Sequence, residues 1–132
     1  MAKRKAIGDE NFDNRLDSLK EIIVTYGGFF GGTEERTIIF DGERICVKRV
    51  GYNGFEPGLE ELYEGETKSS LIGKLKELHI GKWKNEYDNP YVLDGTQWDV
   101  VLTFEDGSKV QTGGSNSFPR NFSRFLKVME IE

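Results

Sequence analysis

Period-two alternation dominates the second half of this chain. In QWDVVLTFEDGSKVQT, Trp98, Val100, Leu102 and Phe104 take every second position, and Asp106 and Gly107 separate them from a further β-rich run. An Asp-Gly pair between alternating runs is a hairpin signal, because both central turn positions need positive φ. TIIFDGERICVKRV repeats the design around Asp41 and Gly42, which predicts strands at 36–40 and 43–50. EIIVTY at 21–26 is β-branched and aromatic, ends in Gly27 and Gly28, and predicts another strand.

Helical spacing governs two other stretches. Leu71, Ile72, Leu75, Leu78 and His79 form one stripe behind Ser69 or Ser70 as a cap, predicting a helix over 69–80 that Gly81 ends. Pro119 suits the first turn of a second helix, in which Phe118, Phe122, Phe125, Leu126 and Met129 share a face and Arg120, Arg124 and Lys127 occupy the other. Phe12, Leu16, Leu19 and Ile23 recur at helical spacing, so residues 1–19 read as a short helix or a flexible arm. Residues 51–68, rich in glycine and acids, read as an irregular excursion. The order β, ββ, α, ββ, α predicts a single α+β domain over 1–132. Its architecture is a two-layer sandwich: a mostly antiparallel sheet of about five strands, built from two Asp-Gly hairpins, with two helices on one face.

Composition narrows the chemistry. One cysteine, Cys46, permits no intramolecular disulfide and fits a reducing compartment, and no run of about 18 apolar residues exists to span a membrane. The amino terminus lacks the apolar run of a signal peptide, so a cytoplasmic protein is expected. A net charge of −5 argues against general nucleic-acid binding, whose affinity comes largely from cations on phosphates. One histidine and one cysteine are too few for a structural zinc site, and Cys46 sits mid-strand with no neighbouring histidine, so neither a metal nor a nucleophile is expected. The acid pairs within 60–66 and 85–90 match no calcium loop and read as solvated surface rather than as hydrolase carboxylates. GGFFGGTEE at 27–35 lacks the Gly-Lys-Ser/Thr ending of a phosphate loop and reads as a strand connection. The expectation is therefore no enzyme, no catalytic residue and no cofactor.

Two binding readings stand. Charge is partitioned: six acids and no base lie between Asn85 and Asp106, whereas Lys109, Arg120, Arg124 and Lys127 with no acid lie between Gly107 and Met129. GGSNSFPRNF at 113–122 combines glycines, small polar side chains and a helix start. Gly113, Gly114, Ser115, Asn116, Arg120 and Arg124 are candidates to hold a small phosphate-bearing or nucleotide-like ligand, and the competing reading is a plain structural corner. The other reading is a protein partner. GFEPGLEELYEGE sets five glutamates around Phe55, Leu59, Leu62 and Tyr63, which suits a basic cleft on an inhibited target. Its candidate contacts are Phe55, Glu60, Glu61, Tyr63 and Glu64, joined by Phe29 and Phe30 on their glycine-flanked turn. An inhibitor or immunity-type binding protein is the first expectation, and the small-ligand module is the alternative.

The segment LDGTQWDVVLTFEDGSKVQTGGSNSFPRNFSRF resembles one found in small bacterial and phage-associated proteins. The shared pattern is DG, two residues, W, a hairpin, then GSN, an aromatic or small residue, F or Y, P and NF. The likeness covers about the last third of the chain. It carries no established activity, implies no catalytic residues and points to bacterial or phage-infected cytoplasm; the anti-defence or immunity role is read from the acidic excursion instead.

Overall fold

The computed structural model describes residues 5–28, 32–51, 59–62, 66–89, 91 and 95–129. Short helix α1 (Phe12–Arg15) and a single 3-10 turn lead into β1 (Leu19–Gly28), followed by β2 (Gly32–Asp41), β3 (Arg44–Gly51) and β4 (Leu59–Leu62). Helix α2 (Lys68–Glu77), a second 3-10 turn (Ile80–Lys82), β5 (Glu86–Asp88), β6 (Thr96–Phe104), β7 (Lys109–Ser115) and helix α3 (Phe122–Val128) complete the described chain. The strands form one seven-stranded sheet in the order β4-β3-β2-β1-β6-β7-β5. Every pairing is antiparallel except β5 with β7.

The α+β sandwich and its two Asp-Gly hairpins are as expected, although only the glycine of each pair takes positive φ, Gly42 at +61° and Gly107 at +87°. The sheet has more strands than the five expected, because two short edge strands flank it. β4 lies inside the expected irregular excursion, and β5 is a three-residue parallel strand.

Register puts the apolar set on one face. Ile22 stands between Ile38 and Leu102, and Val24 pairs with Val100, so their side chains form continuous cross-strand rows. Leu19 and Ile22 are both fully buried although three residues apart, which strict alternation forbids. A bulge between Leu19 and Glu21 in the pairing with β6 resolves this by inserting one extra residue. The helices cover that face with Phe12, Leu16, Leu71, Leu75, Leu78, Phe122, Phe125, Leu126 and Met129, all in one core cluster with the strand residues. The opposite face carries Ile23, Thr25, Thr37, Ile39, Cys46, Val101 and Thr103, half-buried or exposed.

Local signals account for most boundaries. Thr67, rather than Ser69 or Ser70, caps α2 by accepting the Ser70 N–H at 3.2 Å. The helix does not run to Gly81: His79 adopts the left-handed conformation at φ 50°, ψ 50°, and the 3-10 turn follows. α3 starts three residues after Pro119, which lies buried in the preceding turn. Within 1–19, the described residues 5–8 pair with the segment 81–85. Ile7 N–H donates to the Trp83 carbonyl at 2.8 Å, Gly8 N–H to Gly81 at 2.9 Å, and Ala6 bridges Lys84. Arg36 is an unforeseen core residue, 7% exposed, whose Nη1 donates at 2.6 Å to the Met129 carbonyl at the end of α3. A cation there complements the negative helix terminus.

Adjacent residues of β2 test the one-sided packing. Ile38→Ala should cost about 2–5 kcal/mol in urea denaturation and Ile39→Ala less than about 1 kcal/mol. A second test concerns Glu66, whose carboxylate accepts from the Ser70 hydroxyl at 2.7 Å and Lys74 at 2.9 Å. Burial raises its pKa, but the Ser70 and Lys74 bonds outweigh burial and hold it below the ordinary 4.5. The unfolded chain therefore takes up that proton at a higher pH than the folded one. The stabilisation is complete above the ordinary value and is lost as pH falls through the lowered one. Glu66→Gln should flatten the acid limb of Tm between about pH 5 and pH 3.

Candidate functional site

The corner at 113–122 is built first by steric need. Gly114 pairs with Trp98 on β6 and Tyr87 on β5. A Cβ there would sit 2.6 Å from the Tyr87 carbonyl, 2.7 Å from Trp98 Nε1 and 2.8 Å from the Ser117 carbonyl. A Cβ on Gly113 would lie 2.8 Å from both Asp99 Oδ1 and the Trp98 carbonyl. Both glycines let three strands and the corner approach closely. Trp98 Nε1 donates to the Ser117 carbonyl at 2.9 Å, and Asn116, at φ 59°, donates its N–H to Thr96 at 2.8 Å. Ser115 Oγ accepts from Gln97 at 2.8 Å and from Asn116 at 3.3 Å. Asn121, at the helix start, makes no capping bond: its Oδ1 accepts from Trp83 Nε1 at 2.9 Å and its Nδ2 donates to the Leu78 carbonyl at 2.7 Å.

This geometry separates the candidate ligand residues. Gly113, Gly114 and Ser115 line a groove of about 520 Å³ together with Glu86, Asp88 and Asp99, an acidic setting unsuited to an anion. Asn116 is spent on the corner. Arg120 instead opens onto a different cleft of about 570 Å³, and Arg124 lies four residues on, inside α3. α3 has only seven residues, so its amino-terminal amides make no anion cradle of their own.

The second cleft is built by the segment 78–87 facing 118–121. Left-handed His79 and the 3-10 turn reverse the chain after α2, and residues 82–84 then alternate, with Trp83 buried and Lys82 and Lys84 exposed. Backbone bonds from Ile7 and Gly8 hold this segment on one side; the Thr112 hydroxyl, donating to the Lys84 carbonyl at 2.6 Å, holds it on the other. Tyr87 turns back to accept the Lys84 N–H at 2.9 Å. Leu78, Trp83, Pro119 and Asn121 contribute buried or half-buried lining; Tyr87 is half-buried and Phe118 is 40% exposed. Phe118 is braced from behind, stacked on Trp98 at 6.4 Å and tilted on Phe122 at 5.1 Å.

Exposed Lys82, Lys84 and Arg120 give this cleft a cationic rim, with exposed His79 beside them. His79 Nδ1 lies 3.3 Å from Asp13 Oδ2. Among the described residues, no carboxylate pairs with Lys82, Lys84 or Arg120. The lysines of α2 contrast with them: Lys68, Lys74 and Lys76 reach Glu105, Glu66 and Asp17 at 3.7, 2.9 and 2.8 Å. The other lowered carboxylates, Glu43 and Asp106, owe their shift first to the side-chain hydroxyls of Ser69 and Ser108 and serve as local caps. No group of three or more His, Cys, Asp or Glu residues suited to a metal occurs among the described residues.

Of the residues proposed for a protein partner, Phe29, Phe30, Phe55, Tyr63 and Glu64 lie outside the described residues. Glu60 and Glu61 belong to edge strand β4, opposite Lys48 and Val47. The residues missed in the sequence are Lys82, Trp83, Lys84 and Tyr87. Their signal is GKWKNEY, in which basic and aromatic positions interleave without an acid until Glu86. No family model, curated protein or solved structure matches the chain.

The corner and the cleft are separable by mutation. Gly114→Ala should destabilise the fold by more than about 1 kcal/mol through strain in packed backbone, whereas exposed Arg120→Ala should stay within about 0.5 kcal/mol, both read from urea midpoints.

Proposed function

We propose that the protein is a non-enzymatic binding protein that captures a small, phosphate-bearing, ring-containing molecule of nucleotide type in the cleft between Tyr87 and Phe118. The observation that carries this reading is the set Lys82, Lys84 and Arg120, with no carboxylate partner among the described residues, around an aromatic wall while the neighbouring lysines of α2 are paired. Three like charges on one rim repel each other, and an anion among them relieves that repulsion while accepting charge-assisted hydrogen bonds. The exposed face of Phe118 and the ring of Tyr87 offer apolar surface to a planar group. A cleft of about 570 Å³ falls in the size range of small-molecule sites.

The protein-partner reading rests on side chains of which only Glu60 and Glu61 lie on described backbone. At a sheet edge, such charges also serve to block pairing with another chain. No helix among the described residues is long and apolar enough to cross a membrane. Binding in bacterial or phage-infected cytoplasm, where it would sequester its ligand, is part of the same proposal.

Trp83 forms part of the cleft, so its fluorescence is the natural readout. Titration with adenosine and guanosine monophosphates should change the emission and raise Tm. Arg120→Ala should weaken binding about tenfold, the scale of one lost charge-assisted hydrogen bond. An unchanged emission and Tm with both nucleotides would overturn the proposal.

A further inference from the structure

We infer that the ligand carries a chain of two or more phosphates, which leaves the cleft at Arg120 and runs along α3 past Arg124 toward Lys127. The inference rests on the nucleotide-type reading of the cleft and specifies its ligand class.

Charge on the two sides of Tyr87 sets the direction. Tyr87 borders both depressions: on one side lies the groove with Glu86, Asp88 and Asp99, and on the other the rim with Lys82, Lys84 and Arg120. A phosphate chain entering the first groove would meet three carboxylates. α3 itself carries none, since no Asp or Glu occurs from Gly107 to Met129.

The turn and the helix after it supply the cations. Phe122 N–H bonds to the Pro119 carbonyl, closing a turn through Arg120, and Phe125 N–H bonds to Asn121 at the start of α3. Phe122, Phe125, Leu126 and Met129 are buried, which leaves Ser123, Arg124 and Lys127 on the exposed side. Arg120 lies in the turn that leads into α3, and Arg124, four residues on, lies in the first turn of the helix, both side chains exposed. Neither Arg124 nor Lys127 has a carboxylate partner among the described residues. A phosphate chain running toward the end of α3 approaches the negative pole of that helix. Arg36, bonded to the Met129 carbonyl at 2.6 Å, offsets the pole from within the core. Guanidinium forks at 120 and 124 suit bidentate contact with phosphate oxygens.

The test compares adenosine mono-, di- and triphosphate on the full chain at fixed ionic strength, by tryptophan emission and calorimetry. Affinity should rise about tenfold from mono- to triphosphate, a gain of about 1.4 kcal/mol. The Arg124→Ala, Lys127→Ala double variant should lose that gain and keep monophosphate affinity within about twofold. Lys20→Ala with Lys109→Ala removes the same net charge from other exposed positions and should leave the gain intact. Equal affinity for mono- and triphosphate, or equal loss in both double variants, would overturn the phosphate chain while leaving the cleft reading standing. Failure of every nucleotide to bind would remove the cleft reading itself. Binding of a short single-stranded oligonucleotide more than about tenfold tighter than the triphosphate would replace the small molecule with a nucleic-acid strand.

Discussion

Trp98 is the contact on which the rest of this molecule turns. Its backbone pairs β6 with β1 and β7, its ring packs on Trp83, Tyr87, Phe118 and Phe122, and its indole N–H holds the Ser117 carbonyl. The arrangement requires Gly114, since a side chain there would enter the space of that indole nitrogen and of the Tyr87 carbonyl. Because β5 reaches the sheet only through β7, the same glycine permits the parallel edge strand that carries Tyr87. The corner at 113–122 is thus a steric consequence of placing a tryptophan beneath it, and the cleft is a by-product of that corner.

A second indole extends the brace. Trp83 meets Trp98 edge-on at 6.0 Å and Phe125 at 5.2 Å, and its N–H bonds to Asn121, which also holds Leu78. Buried indole N–H groups need partners, and here each partner belongs to the 117–121 turn. The hydrogen bonds that satisfy the core therefore fix one wall of the cleft against the other. Such a site is preorganised: the aromatic wall is ordered by the fold, and a ligand has only the ends of lysine and arginine side chains left to order.

Legibility in the sequence followed the range of the interactions. Both hairpins were readable because Asp41-Gly42 and Asp106-Gly107 act within four residues, and the stripes of α2 and α3 because helical packing has a fixed period. The bulge that turns both Leu19 and Ile22 inward left no mark, nor did left-handed His79, an unusual residue for that conformation. β5 and the bridge from Ala6 to Lys84 depend on pairings between segments far apart in the chain, for which three or four residues hold no pattern. Arg120 was readable as a cation that the corner does not require. Its companions were not, because Lys82 and Lys84 come from another segment and are brought to it by the Trp83–Asn121 bond and the packing of Trp83 on Phe122 and Phe125.

That separation also explains how an acidic chain presents a cationic site. Pairing removes the lysines of α2 from the field, while the acids of 85–106 that are described fall partly in the groove on the far side of Tyr87. Two depressions of opposite sign then share one tyrosine as their boundary. A net charge of −5 repels polyanions at long range, but within about 10 Å at physiological salt the local rim governs. An acidic surround with a small basic cleft therefore favours a compact anion whose apolar part can enter the cleft over an extended one that must cross the acidic surface.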